Sequence, residues 1–99
     1  MRGPALGALR VRALKSTAYA VADLLPQNAF IHLTISIGAG RSEDTKKAAG
    51  NHIWAALTDF LAPRFETPNF ALTMEIREID PDFSWKKNAI HPRIRAQKT

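Results

Sequence analysis

The chain has 99 residues, of which 45% are hydrophobic, and its formal net charge is +5. This length allows one domain at most, and this hydrophobic share indicates a folded globular chain and excludes a disordered one. The absence of cysteine excludes a disulfide framework and a thiolate metal site. His32, His52 and His91 lack the spacing of a metal-binding motif, which argues against a metal.

Positive charge is concentrated at both ends of the chain. Asp23 is the first acidic residue and Asp82 the last, and basic residues continue beyond both. Such ends attract small anions or nucleic acid, but no nucleic-acid module or aromatic platform accompanies them. Solvated ends are the simpler interpretation, and a nucleic-acid partner is not expected.

No stretch of the sequence approaches the ~20 apolar residues that a membrane span needs. The acid-free start faintly resembles a transit peptide, and it fits a secretory signal less well because Arg10 and Arg12 interrupt its apolar region. The sequence therefore predicts a soluble cytoplasmic protein without a membrane partner.

The first predicted element is a strand over residues 6–14, in which apolar residues alternate with Arg10 and Arg12. The two arginines share one face of this strand. That face is either a solvated strand edge or a clamp for a carboxylate, and the residues alone leave both interpretations open. Residues 19–25 are interpreted as a strand tail or a short helical turn, and Pro-Gln-Asn at 26–28 indicates a turn.

A β-α-β unit over residues 29–79 is the clearest pattern. Alternating apolar residues predict strands at 29–37 and 70–79, and apolar residues at three- and four-residue spacing predict a helix over 42–61. A crossover helix of this length allows the two strands to pair in parallel. Gly50 weakens the helix interior by ~1 kcal/mol relative to Ala, which we interpret as a sign of close packing on the sheet.

The predicted architecture is a single α+β domain over residues 1–99. The strand at 6–14 is expected to extend the sheet, and residues 83–99 are predicted as a short extended piece followed by a basic tail. One long helix covers one face of the sheet, so the other face is expected to be covered by another subunit.

His32 lies in the middle of the strand at 29–37, on a face of mixed polarity. A hydrogen-bonded structural histidine is the favoured interpretation, and a ligand-binding histidine is the alternative. On the strand at 70–79, Glu75 and Arg77 share the polar side, and they can pair with each other at little gain in stability if both are exposed.

The segment Gly-Ala-Gly-Arg-Ser at residues 38–42, called here the 38–42 turn, connects the first of these strands to the helix. Ser42 is a suitable N-cap, and backbone N–H groups at a helix start attract anions. The guanidinium of Arg41 can bind a carboxylate with two hydrogen bonds. The glycine pattern is weak by itself, because ordinary tight turns share it. We predict one wall of an anion site here, with a plain turn as the alternative.

The chain resembles the 5-carboxymethyl-2-hydroxymuconate Δ-isomerases of the tautomerase superfamily. The similar strings are Ala-Phe-Ile-His-Leu-Thr at 29–34, Ile-Gly-Ala-Gly-Arg-Ser at 37–42, Phe-Ala-Leu-Thr-Met-Glu-Ile at 70–76, and Asp-Pro at 80–81 before Asn88. The resemblance implies two β-α-β units per chain and a homotrimer with active sites near subunit boundaries. It also implies an isomerase without metal or cofactor that acts on small carboxylated 2-hydroxymuconate-type intermediates of aromatic-compound degradation.

The resemblance assigns roles to individual residues. Arg41 falls on the arginine of the family's turn and Arg10 on the arginine of the preceding strand, so both are expected to bind substrate carboxylates. The family's base is the amine of an N-terminal proline with a lowered pKa. This sequence begins Met-Arg-Gly-Pro, and Pro4 does not match that proline. The family's first strand and helix, and its base, are therefore expected to be missing.

Three explanations of that start stay open: a mis-assigned start codon, a gene fragment, and a diverged protein that has lost the chemistry. Two other functions stay beside the isomerase. A non-catalytic oligomeric binding protein with the same core predicts anion binding without turnover. A nucleic-acid binder that uses the basic ends predicts an affinity that falls steeply with salt.

Overall fold

The structure is a computed structural model that describes residues 9–97. Its elements are strand β1 (Ala29–Gly38), helix α1 (Glu43–Phe60), a 3-10 turn (Ala62–Glu66), strand β2 (Phe70–Ile79), a second 3-10 turn (Pro81–Phe83) and helix α2 (Ile90–Gln97). The chain contains two compact units, and β1, α1 and β2 all belong to the unit Tyr19–Ser84. The described residues 9–18 and 85–97 belong to the other unit.

Strands β1 and β2 form a parallel pair, as the sequence predicts. Ala29 lies opposite Phe70 and Gly38 lies opposite Ile79, so the strands run level over their whole length. Because side chains alternate between the two faces of a strand, this register places the alternating apolar residues of β1 beside those of β2 on one face. The C-terminal ends of both strands meet at the edge where the 38–42 turn begins.

Helix α1 packs on this apolar face at Gly50. Gly50 is buried, and a Cβ atom at this position would lie 3.1 Å from Ile76 Cδ1 and 3.9 Å from Met74 Cε. The absence of a side chain therefore permits the close approach of helix and sheet that the sequence indicates. The predicted helix bounds are confirmed to within a residue, because Ser42 caps α1 and Phe60 ends it.

The described residues contain no fully buried apolar side chain. On the sheet face turned away from α1, Phe30 is 50% exposed, and the side chain of Phe60 near the end of α1 is 80% exposed. Apolar surface of this kind stays in water unless another protein surface covers it. None of the helices in residues 9–97 has the length and apolar content to cross a bilayer.

The predicted strand over residues 6–14 is not found in its described part. Residues 9–14 have neither helix nor strand structure, and residues 6–8 lie outside the described residues. A strand needs a neighbour for its backbone hydrogen bonds, and the described sheet consists of β1 and β2 alone. Alternation of apolar and basic residues is therefore not sufficient to form a strand here. Residues 19–25 contain neither helix nor strand. Turns lie at 22–23 and 26–27, and the Leu24 N–H donates to the Val21 carbonyl at 2.8 Å.

The prediction of an extended piece and a tail over residues 83–99 is wrong for helix α2. The side-chain oxygen of Asn88 accepts hydrogen bonds from the N–H groups of Ile90 at 2.9 Å and His91 at 3.2 Å. Asn is a preferred residue at helix starts because it satisfies such N–H groups. The sequence did not reveal this helix start because the many basic residues of the segment indicated a solvated tail.

Candidate functional site

The 38–42 turn joins the end of β1 to the first turn of α1, and its own residues determine its shape. Gly40 has a φ of +104°, a backbone conformation that side-chain-bearing residues rarely adopt. The side-chain oxygen of Ser42 accepts the Thr45 N–H at 3.1 Å, and the Ser42 carbonyl accepts the Lys46 N–H at 3.1 Å. Glycine thus permits the bend, and serine starts the helix.

Arg41 is exposed at this turn, where the sequence predicts an anion contact. Its Nη1 donates a hydrogen bond to the carbonyl oxygen of Gly38 at 3.2 Å. The side chain therefore folds back over the C-terminal end of β1. This bond uses one of the five N–H donors of a guanidinium, whose planar fork matches a carboxylate.

The start of α1 is less available to an anion than the sequence predicts. The Ser42 side chain already accepts the Thr45 N–H, and the acidic residues Glu43 and Asp44 occupy the first turn. These carboxylates take the favourable positions near the positive end of the helix dipole. The Arg41 guanidinium is therefore a better candidate for an anion contact at this turn than the backbone N–H groups.

An ion pair that the sequence did not indicate lies beside the turn. Lys46 Nζ in the first turn of α1 contacts Glu78 Oε1 on β2. In the strand register, Glu78 lies opposite Ile37, the residue before Gly38. The parallel register is the signal that would have found this pair, because it brings the end of β2 level with the end of β1.

A second polar group, called here the His32 cluster, consists of His32, Thr73, Glu75 and Arg77 on the sheet face turned away from α1. His32 Nδ1 lies 2.6 Å from Thr73 Oγ1, and His32 Nε2 lies 3.1 Å from Glu75 Oε1. Arg77 Nη2 donates to the same carboxylate oxygen at 3.1 Å. An ionised carboxylate only accepts hydrogen bonds, so Nε2 of His32 donates. In the neutral ring, Nδ1 then accepts the Thr73 hydroxyl proton.

The hydrogen bonds of the His32 cluster stabilise one carboxylate. The bond from His32, and after it the bond from Arg77, lower the pKa of Glu75 from its ordinary value of 4.5. The expected hydrogen bonding of His32 is confirmed, and the expected pairing of Glu75 with Arg77 is found along β2. The sequence missed that both partners of His32 come from the neighbouring strand.

The His32 cluster and the 38–42 turn are separate sites. His32 precedes Gly38 by six residues on β1. A strand advances about 3.3 Å per residue, so about 20 Å of strand separate the two positions. A small dicarboxylate held by Arg41 does not span this distance, so His32 of the same chain is not a base for a substrate bound at the turn.

Arg10, the other predicted carboxylate ligand, is exposed in a segment without helix or strand. It belongs to a different compact unit from Arg41. A joint role of Arg10 and Arg41 therefore stays a prediction.

The chemistry that the turn can perform follows from its residue types. Gly-Ala-Gly-Arg-Ser offers a cation and a hydroxyl group but no general base. Within residues 9–97, no group of three or more carboxylate and imidazole side chains is arranged to hold a metal ion. The turn is suited to binding an anion and to stabilising negative charge.

Comparison with known proteins shows similarity over most of the chain. Residues 4–94 match the family model described as 5-carboxymethyl-2-hydroxymuconate isomerase. The 5-carboxymethyl-2-hydroxymuconate Delta-isomerase of Escherichia coli is 31% identical over 86 residues, which are 87% of this chain and 68% of that protein. The crystal structure of a 5-carboxymethyl-2-hydroxymuconate isomerase from Deinococcus radiodurans R1 matches with a TM-score of 0.85 and 44% identity. That match covers 91% of this chain and 68% of the other.

Proposed function

This chain belongs to the 5-carboxymethyl-2-hydroxymuconate isomerase family, and we propose that it isomerises carboxylated 2-hydroxymuconate-type intermediates of aromatic-compound degradation. Its α+β fold is tautomerase-like, with a parallel strand pair and a long helix packed on it. The structural observation that carries the proposal is the exposed guanidinium of Arg41 at the end of β1. A substrate of this class carries carboxylates, which are the groups that a guanidinium binds best.

The proposed role of Arg41 has two parts. Isomerisation of a conjugated hydroxy acid moves a proton from one atom to another and passes through a negatively charged dienolate. A guanidinium that holds a carboxylate by two parallel hydrogen bonds orients the substrate, and its charge also stabilises the dienolate as it forms. The bond from Arg41 to the Gly38 carbonyl restricts the side chain before substrate arrives.

Arg10 is proposed as a second carboxylate ligand, on the strength of its match to the family arginine. The 38–42 turn is assigned binding and charge stabilisation alone, because none of its residues accepts a proton near neutral pH. Proton transfer therefore falls to a group outside the turn.

The test of this function is turnover of 5-carboxymethyl-2-hydroxymuconate by the purified chain, followed by the change in its conjugated absorbance. We expect a rate above the uncatalysed one. Arg41→Ala is expected to lower kcat/KM about 100-fold, because it removes a charge that binds the transition state. Background rates with the unmodified chain would reject the isomerase, and an unchanged kcat/KM in Arg41→Ala would remove Arg41 from the site.

We also propose that the chain assembles as a homotrimer, as the family resemblance implies. The support is the sheet face turned away from α1, where Phe30 is 50% exposed, together with the lack of a fully buried apolar side chain in residues 9–97. Burial of this face in a subunit contact would stabilise the sheet. Sedimentation at micromolar concentration is expected to show the trimer, and a stable monomer would contradict it. The proposed location is the cytoplasm.

A further inference from the structure

We infer that Glu78, through its ion pair with Lys46, is a positioning residue for Arg41 at the 38–42 turn. This inference rests on the proposed function, because it concerns what holds the carboxylate-binding arginine in place. Neither Glu78 nor Lys46 is assigned a contact with the substrate.

The contacts around the turn form a closed path. The Arg41 guanidinium donates to the Gly38 carbonyl at 3.2 Å, which ties the side chain to the end of β1. Glu78 lies on β2, level with the residue before Gly38, and its carboxylate pairs with Lys46. The Lys46 N–H donates to the Ser42 carbonyl at 3.1 Å, and Ser42 directly follows Arg41.

The ion pair adds a restraint to the turn, whose glycine backbone leaves the position of the Arg41 side chain loosely fixed. Two of its five residues are glycines, and glycine has the widest choice of backbone conformations. On the β1 side, the strand ladder fixes the turn. On the α1 side, the first helical turn fixes it. Of the ion pairs within residues 9–97, the pair of Lys46 with Glu78 is the one that joins α1 to the sheet.

The burial of this ion pair is consistent with an anchoring role. The side chains of Lys46 and Glu78 are 25% and 38% exposed, whereas those of Arg77 and Glu75 in the ion pair on the opposite sheet face are 67% and 42% exposed. A partly shielded pair is screened less by salt than an exposed one. Since Lys46 Nζ is occupied by Glu78, it is not the group that a substrate carboxylate meets first.

The experiment measures binding of cis,cis-muconate, a dicarboxylate probe, to the full chain by NMR shifts of the Gly40 and Arg41 amides. Lys46→Met is expected to weaken binding about two- to fivefold, the range that a partly exposed ion pair supports. Lys47→Met is the matched control, because it removes the same charge from the neighbouring, exposed position. It is expected to have the smaller effect.

A charge exchange tests position separately from charge. The double variant Lys46→Glu with Glu78→Lys keeps the net charge and the ion pair, so it is expected to return the affinity to that of the unmodified chain. Glu78→Gln alone is expected to weaken binding, measured at high salt to screen distant charges. Circular dichroism shows whether each variant folds. If a single variant does not fold, the double variant provides the test.

Four outcomes would overturn the inference. These are equal losses in Lys46→Met and Lys47→Met, a charge exchange that fails to restore affinity, tighter binding in Glu78→Gln, and no muconate binding by the unmodified chain. Tighter binding in Glu78→Gln would assign Lys46 to the anion directly. Muconate binding without turnover of the isomerase substrate would reject the proposed function alone, because the comparison of variants still applies to the anion site.

Discussion

The 38–42 turn and the His32 cluster lie on the same strand pair, but they arise in different ways. The turn is a run of consecutive residues whose bend and helix cap follow from Gly40 and Ser42. In the cluster, His32 contacts Thr73 and Glu75, which follow it in the chain by 41 and 43 positions. The register of β1 on β2 brings their side chains within 2.6 Å and 3.1 Å of the His32 ring. Local chemistry therefore determines the bend and the helix start of the turn, and tertiary pairing determines the polar group on the sheet.

The largest expected difference between the two regions is in turnover. We expect His32→Gln to keep kcat/KM close to that of the unmodified chain, while Arg41→Ala loses about 100-fold. The reason is that about 20 Å of strand separate His32 from the turn. Arg41→Lys is the control that keeps the charge and loses the planar fork, and it is expected to fall between the two. A large loss of kcat/KM in His32→Gln with the fold intact would show that the two regions belong to one site.

The contact of α1 with the sheet supports both regions, and Gly50→Leu tests this shared support. A side chain at position 50 meets Ile76 Cδ1 at 3.1 Å, so helix and sheet have to separate. We expect a loss of about 2 kcal/mol in the free energy of unfolding, measured by urea denaturation. Ala48→Leu, at an exposed position of the same helix, is the control and is expected to change little. Equal stability of both variants would show that Gly50 is not the contact point.

The backbone of the turn is tested by Gly40→Ala. The φ of +104° at Gly40 is unfavourable for alanine, so we expect a loss of about 1 kcal/mol in the free energy of unfolding. Gly38→Ala is the matched control, because a Cβ there meets Arg41 Nη1 at an ordinary contact distance of 3.7 Å. A loss in Gly38→Ala as large as in Gly40→Ala would contradict the assignment of the bend to Gly40.

The smallest expected effect is a pH dependence of the His32 cluster. The pKa of Glu75 is lower in the folded chain than its ordinary value of 4.5, so the ionised carboxylate stabilises the fold above that value. This contribution is lost as the pH falls through the lowered pKa. Acid should therefore lower the midpoint of thermal unfolding more in the unmodified chain than in Glu75→Gln. Glu66→Gln, at an exposed position, is the control, and an acid response of Glu75→Gln equal to that of the unmodified chain would disprove the linkage.

The β-α-β unit was predictable because its signals are local and periodic. Alternation in β1 and β2, the serine cap of α1 and the glycine in the middle of the helix each act over a few residues, and the structure has all of them at the predicted positions. Arg41 could be singled out for the same reason. The resemblance to a family then supplied its proposed role, which spacing could not.

The predictions that failed concern elements whose formation depends on partners. Residues 9–14 alternate like a strand but have no strand beside them in the described sheet. Helix α2 begins where the Asn88 side chain accepts N–H groups, a contact that a basic segment does not reveal. The ion pair of Lys46 with Glu78 follows from the strand register, so it could not be read from either residue alone.

The sequence by itself determined the order of the central elements, the bend at the 38–42 turn and the presence of Arg41 at the end of β1. It could do so because backbone conformation, helix capping and side-chain alternation depend on neighbouring residues. Only the tertiary structure decided the partners of His32, the ion pair of α1 with Glu78 and the absence of strand structure over residues 9–14. These features depend on which distant segments pair, and pairing is set by the energy of the whole packed sheet rather than by any one stretch of it.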